Sequence, residues 1–303
     1  MAEQTATLAP SRGSLPAREA ATERRRRRLV PRDRGALLGL LPLALFLALA
    51  FVVPVVFAGN PTAQDLTGRL RPPVGVGGSW DHPFGTDGLG RDLLARVAAG
   101  ARASLLVSIV AATGAAVVGV AAGLLAGIRG GAADRVITML VETLLAVPFI
   151  TFGIVVTATV GQSVTNVLLL LVLSGWITHA RIVRLQVQSL MRSEFVEAAY
   201  ALGAGRSHIA RVHLLPNLAP IIIVVLCQQA GAMMLWSASL TYLGIGLPIE
   251  RITLGGIVRD GQELIYTAWW VSVLGGLTIA LAVVGFNLFA DWLQRRLDPM
   301  LRT

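Results

Sequence analysis

The sequence contains no lysine: all 26 of its basic residues are arginine. A P-loop needs a lysine on its β- and γ-phosphates and Schiff-base chemistry needs a lysine amine, so the chain can perform neither by itself. If nucleotide energy drives its function, another subunit supplies it. A single cysteine, Cys227, excludes an intrachain disulfide and a thiolate metal cluster. Charge is also scarce, at 14% of residues, whereas 54% are hydrophobic and the mean hydropathy is +0.69. That balance is too apolar for a soluble domain of 303 residues. It predicts an all-α integral membrane protein, because a bundle of helices satisfies its own backbone inside lipid.

Residues 1–34 are polar and carry the run Arg24 to Arg28, then Arg32 and Arg34. They are read as a disordered basic cytoplasmic tail. The apolar stretch Ala36–Phe57 is long enough to cross a hydrocarbon core of ~30 Å. Its length, and the length of the tail before it, favour a retained anchor over a signal peptide cleaved after Ala48-Leu49-Ala50. Five further apolar segments follow at about 104–128, 136–160, 164–182, 218–240 and 270–293. Six spans put both termini on one side. With the tail cytoplasmic, nineteen arginines lie inside and seven outside, which satisfies the positive-inside rule. The net charge of +9 is then a topology signal, and nucleic acid is not expected as a partner. The expected parts are the tail 1–34, a first span with its extracytoplasmic segment over 35–101, a transmembrane core over 102–293 and a short cytoplasmic tail over 294–303.

Gly119, Gly123 and Gly127 recur every fourth residue, a pattern that lets a second helix approach closely. Pro42, Pro54 and Pro148 fall inside spans and predict kinks rather than breaks. Glu142 and Asp291 lie near cytoplasmic ends of spans, where they can reach the interface or pair with arginine. With no chain of carboxylates at midplane depth, proton coupling within this chain has little support.

The longest inside segment contains Ser193-Glu194-Phe195-Val196-Glu197-Ala198-Ala199-Tyr200-Ala201-Leu202-Gly203-Ala204 and ends in His213-Leu214-Leu215-Pro216-Asn217. The pattern predicts a helical hairpin over 190–217: a helix, a turn at Gly203, and a second short helix stopped by proline. Small residues at 198, 199, 201 and 204 would let another surface approach, a shape suited to a groove on a partner. Outside the membrane, His82-Pro83-Phe84-Gly85-Thr86-Asp87-Gly88-Leu89-Gly90-Arg91-Asp92 reads as a capped turn leading into a short helix, with Asp87 as the cap. Asp81, His82, Asp87 and Asp92 could instead ligate a metal, but carboxylates this close in sequence more often cap helices and pair with arginines such as Arg91 or Arg96. No metal site is expected there. His208 and His213 are five apart with no acid between them, which does not match a zinc-binding helix.

Residues 193–217 resemble the EAA loop of ABC importer permeases, through Glu197-Ala198-Ala199, Gly203 and Leu215-Pro216 at the family spacing. His213 before Leu-Leu-Pro-Asn is similar to the dipeptide/oligopeptide/nickel branch. The segment His82, Pro83, Gly85, Thr86, Asp87, Gly90, Arg91, Asp92 resembles the one that follows the first span in C-type subunits of that branch. So do Ala268-Trp269-Trp270, Phe286-Asn287, Asp291 and Leu297-Asp298-Pro299. The resemblance covers about residues 35–300. It implies a six-helix type I importer permease in the bacterial plasma membrane, and a coupling loop of Glu197, Ala198, Ala199, Leu202, Gly203, Ala204, His213, Leu215, Pro216 and Asn217 that docks on an ATPase. It further implies a homologous second permease, two ATPase subunits or domains that bind ATP and magnesium, and an extracytoplasmic substrate-binding protein. No cofactor is implied for this chain.

Where that branch has a glutamate before a Leu-Gly-Leu-Gly run, this chain has Ser237 followed by Leu240-Thr241-Tyr242-Leu243-Gly244-Ile245-Gly246, and residues 247–255 also depart. Peptide import is the leading expectation, with nickel or another small solute as the alternative and export less favoured. The substrate-binding residues are not identified by the sequence. A membrane enzyme would need a nucleophile elbow, a His-Glu-x-x-His helix or a buried carboxylate pair, and none of these is present. A channel or scaffold has no reason to carry an ATPase-docking loop.

Overall fold

The computed structural model describes residues 34–57 and 59–297, with side chains from residue 39 onward. The arginine run 24–28, the rest of the tail to residue 33, and Asp298-Pro299 with the end of the 294–303 segment lie outside the described residues. The chain divides into two units, residues 1–38 and 39–303, and apart from the start of the first helix everything below concerns the second.

Helix α1 (Arg34–Leu47) passes through a π-helical turn (Ala48–Val52) into α2 (Val53–Val56). A loop with one 3-10 turn (Leu66–Gly68) leads to α3 (Leu93–Arg129). Next come α4 (Gly131–Ala146), α5 (Phe149–Val160), α6 (Val164–Leu190) and α7 (Glu194–Ala201). The chain continues with α8 (Arg206–His208), a second π-helical turn (Ile209–Leu214), α9 (Leu215–Tyr242), α10 (Leu254–Asp260) and α11 (Trp270–Leu297). Among the described residues, five helical runs are long and apolar enough to cross a membrane, and a sixth crossing results if α4 and α5 make one broken span. The fold is therefore all-α with five to six candidate spans.

Helices α3 and α6 share the most extensive helix–helix contact, and glycine makes it possible. A Cβ on Gly119 would lie 2.4 Å from the Trp176 carbonyl oxygen, and one on Gly123 would lie 2.8 Å from that of Ala180. One on Gly127 would lie 2.5 Å from the Val187 side chain. The every-fourth-residue pattern is thus a helix contact, as the sequence indicates. The main core gathers Phe46 from α1, Leu105 and Ala112 from α3, Leu171 from α6, Met233 and Met234 from α9, and Ile279 and Phe286 from α11.

Three expectations need correction. Pro148 breaks its span instead of kinking it: α4 stops at Ala146, Val147 is extended (φ −93°, ψ 118°), and α5 leaves at 87°. The ring of Pro148 disfavours helical backbone at the residue before it, and Val147 takes the extended conformation that relieves the clash. Pro216, conversely, stops nothing; helical backbone runs from Arg206 to Tyr242. Residue 212, whose carbonyl the Pro216 ring would meet in a regular helix, lies in the π-helical turn Ile209–Leu214, where the wider winding leaves room. Pro54 follows the π-helical turn Ala48–Val52 in the same way, so the first span also stays continuous. Finally, the helix after the His82–Asp92 motif is not short. It is α3 itself, 37 residues long, and it runs unbroken past residue 102.

Candidate functional site

At one end of α3, the segment before the helix is knotted onto it. Asp92, not Asp87, is the N-terminal cap: its Oδ1 accepts from the Ala95 amide at 2.8 Å. Its other oxygen lies 2.7 Å from His82 Nδ1, so the histidine and the cap hold each other. Asp87 is buried and fixes the preceding turn, accepting from the amides of Leu89 (2.9 Å) and Arg91 (3.0 Å). Its Oδ2 pairs with Arg91 Nε at 2.7 Å and Arg96 Nε at 3.3 Å, and Arg96 reaches Asp260 at 3.1 Å. Thr86, fully buried, donates to the Gly68 carbonyl at 2.6 Å and accepts from the Arg71 amide at 2.8 Å. Its own carbonyl accepts from Trp270 Nε1 at 3.2 Å, which joins the Ala268-Trp269-Trp270 motif to this knot.

Two glycines complete it. Both Gly85 and Gly90 have positive φ, and a Cβ would sit 2.4 Å from the Arg71 carbonyl oxygen in the first case and 1.8 Å from that of Asp65 in the second. Pro83 contributes its carbonyl to the Val74 amide at 3.1 Å. In the loop below, Thr67 grips Asp65 with its hydroxyl and its amide, and these bonds hold the Asp65 carboxyl below the usual carboxylate range. The four candidate metal ligands are thus turned to other tasks: Asp81 accepts from Ser79, Asp92 caps, Asp87 binds arginine, and His82 holds Asp92. Among the described residues, no group of three or more His, Cys, Asp or Glu is placed to hold a metal ion.

Beside the knot lies a cavity of about 590 Å³ lined by Asp87, Arg91, Arg96, Arg251, Arg259 and Asp260, among others. The departing stretch 247–255 forms part of its wall through Pro248 to Thr253. Asp260 is the residue that sequence reasoning missed, since a lone carboxylate on a short segment 164 positions from Arg96 carries no local signal.

The opposite end of α3 carries the hairpin. Helix α7 closes with a Schellman motif: the Ala204 amide bonds the Ala199 carbonyl at 3.0 Å and the Gly203 amide bonds that of Tyr200 at 2.9 Å. Gly203 sits at φ +84°, the left-handed region, with nothing within 4 Å of where a Cβ would be. Val196, Ile209, Leu214 and Leu218 are buried against Val183 and Val187 of α6, with Ala199 and Ala204 packed on them. Two of the four small residues read as docking positions therefore face the chain's own core. The other face is open: Glu197, Ala198, Ala201, Gly203 and Gly205 are exposed, and Leu202 is 90% exposed. His213 and Leu215 are half-buried, whereas Pro216 and Asn217 are exposed. His213 lies 6.1 Å from the Phe195 ring and 6.0 Å from His208, and its carbonyl accepts from Asn217 at 2.6 Å.

Glu142 shares a cavity with Arg181 and Arg184, but Arg184 is held by a two-pronged ion pair with Asp134 instead. Asp291 is exposed and has no ion pair among the described residues.

Residues 119–303 match the family described as binding-protein-dependent transport system inner membrane component. The chain is 33% identical over 257 residues to the probable D,D-dipeptide transport system permease protein DdpC of Escherichia coli, covering 85% of each chain. It is 34% identical to the dipeptide transport system permease protein DppC of Alkalihalophilus pseudofirmus, covering 90% of this chain and 88% of that one. To the oligopeptide transport system permease protein OppC of Bacillus subtilis it is 33% identical, covering 89% and 87%. In fold it is similar to an inward-facing structure of the MetNI methionine ABC transporter, with a TM-score of 0.54 at 20% identity over 64% of this chain and 93% of that one. With helices of spanning length, a family match over more than half its length and relatives a third identical along most of theirs, the chain belongs to the inner membrane components of binding-protein-dependent transport systems, as a multi-pass protein of the plasma membrane.

Proposed function

We propose that this chain is a permease subunit of an ATP-driven importer of dipeptides or oligopeptides, forming half of the translocation pathway. The observation that carries this reading is the hairpin. One face of it is anchored in a buried cluster, and the other presents Leu202 and the small residues of the Gly203 turn to a partner. An exposed leucine at the tip of a well-packed turn gains by burial in a groove. The arginine distribution supports placing this end, and both termini, in the cytoplasm.

In this reading the chain is not an enzyme. Two partner ATPases bind ATP and magnesium, and the residues that would take up their motion are Glu197, Ala198, Leu202 and Gly203. Because ATPase closure must favour one membrane state over the other, the hairpin acts by shifting a population between inward- and outward-open forms. A homologous second permease supplies the second hairpin, and a binding protein delivers cargo at the knotted end. Peptide cargo is supported by the three relatives, whose names specify dipeptides, D,D-dipeptides and oligopeptides.

The test is affinity purification of the tagged chain from its native membrane in mild detergent, with mass spectrometry of what accompanies it and peptide uptake measured in a deletion strain. Recovery of a second permease with ATPase subunits, and uptake restored only by an intact hairpin, are expected. Recovery of the chain without any ATPase would overturn the reading.

A further inference from the structure

The span that Pro148 breaks leaves polar backbone uncovered. Among the described residues, the carbonyls of Leu145, Ala146 and Val147 accept no hydrogen bond and the amides of Phe149, Ile150 and Thr151 donate none. The corner is closed only by the Val147 amide on the Leu144 carbonyl (3.4 Å) and the Phe152 amide on that of Pro148 (3.1 Å). No side chain caps the start of α5, and the Thr143 hydroxyl is spent one turn back, on the Met139 carbonyl. Leu145, Ala146, Val147, Pro148, Ile150 and Thr151 are exposed, so the rest of the described chain does not cover these groups.

The corner lies deep in the membrane. Helices α4 and α5 cross it together: Asp134 pairs with Arg184 toward the hairpin, and Thr157 bonds the Ile245 carbonyl at the other end (3.0 Å). Before the corner, Val141 and Leu144 pack with Trp176 and Ile177 of α6. Beyond it, a Cβ on Gly153 would lie 3.3 Å from the Leu170 side chain of α6. The break is therefore level with the part of α6 between Leu170 and Trp176. From Val164 to Arg181 that helix has no Asp, Glu or Lys and no other Arg, a stretch of about 25 Å at 1.5 Å per residue, and the break falls near its middle. Non-helical backbone persists at such depth only where protein buries it or water reaches it. A neighbouring span spends its backbone groups on itself and could answer these donors and acceptors only with a matched set of side chains, whereas water answers both kinds.

We propose that the corner at residues 145–151 lines a water-filled path through the membrane, with its free carbonyls and amides solvated there instead of facing lipid. The inference rests on the importer reading for one point, that this path is the route of the cargo. It assigns the path-facing side of the chain to the broken span.

The test is thiol accessibility in the assembled transporter, in membranes opened to both sides, on a Cys227→Ala background so that the introduced cysteine is the chain's only one. The probe is a charged methanethiosulfonate, which reaches thiols in water and not in lipid, and its reaction is scored on this chain after the subunits are separated. Val147→Cys and Thr151→Cys are expected to react within tenfold of the rate of Ser79→Cys, an exposed position beside the knot, in the resting or the vanadate-trapped state. Rates at least a hundredfold below that reference in both states, with ATPase and second permease co-purified, would overturn the inference and leave the importer reading standing. Unreactive cysteines that instead cross-link to the second permease in both states would also overturn it, since protein would then cover the corner. Reactive cysteines in a chain that recovers no ATPase would keep the corner in water and overturn only the importer reading. If neither variant assembles, hydroxyl-radical footprinting decides on the wild type: oxidation within residues 145–151 supports the path, and protection of that segment contradicts it.

Discussion

The two ends of α3 are built on opposite principles. At the knot, Asp87, Asp92, Arg91, Arg96, His82 and Thr86 spend their polar groups on one another or on nearby backbone. Its glycines are closed in by carbonyl oxygens. At the hairpin, Glu197 has no ion pair among the described residues, Leu202 is bare, and Gly203 has empty space where a side chain would go. Both ends need glycine for a left-handed turn. At Gly85 and Gly90 the surrounding space is filled and at Gly203 it is free, and free space beside an exposed apolar residue is what a docking surface requires. A motif can therefore serve the fold or serve a partner, and its surroundings reveal which.

That contrast is open to direct attack, most severely at the knot. Gly90→Val places a side chain into the Asp65 carbonyl on a positive-φ backbone, which should cost roughly 4 kcal/mol or more. Assembled transporter should nearly vanish from membranes, as followed by co-purification of the second permease; normal assembly would show that the knot is not structural. Gly203→Asp places its Cβ in space free of described atoms, so assembly of the two permeases should persist while peptide uptake falls at least tenfold. Gly203→Asn, which tolerates the same backbone without charge, should lose much less. A smaller effect is expected from Glu197→Lys, a few-fold weaker ATPase recovery in pull-downs, with equal recovery counting against a contact at that residue. The slightest change belongs to Thr67→Val. The depressed Asp65 carboxyl contributes stability above its ordinary titration range, and that contribution disappears as pH falls through the lowered value. Removing the Thr67 hydroxyl should move the Asp65 titration upward towards the ordinary range in a carbon-13 carboxyl experiment, with transport unchanged.

The spans, the glycine seam on α3 and the hairpin turn were legible in the sequence because each rests on local chemistry: long apolar runs, a four-residue spacing, and a glycine after a short helix. What escaped depends on context. Pro148 ends its helix and Pro216 does not, and the difference is a π-helical turn before Pro216 that no residue pattern announces. Asp87 and Asp92 are chemically alike, and only the fold assigns the cap to the second and the arginines to the first. Ala198 and Ala199 are adjacent and identical, yet the helix turns one outward and the other onto Val196's buried cluster. Arg96 and Asp260 meet only because α3 and the end of α10 are brought together by tertiary packing.

The central claim, that the open face of the hairpin is where the ATPase engages, is tested most directly by placing a photo-cross-linker at Leu202 in the assembled transporter, with one at Ser79 beside the knot as the control. The account predicts a cross-link from position 202 to the ATPase subunit, strengthened or weakened by ATP, and none from position 79. An ATPase that co-purifies with the chain yet never cross-links from 202 would contradict it.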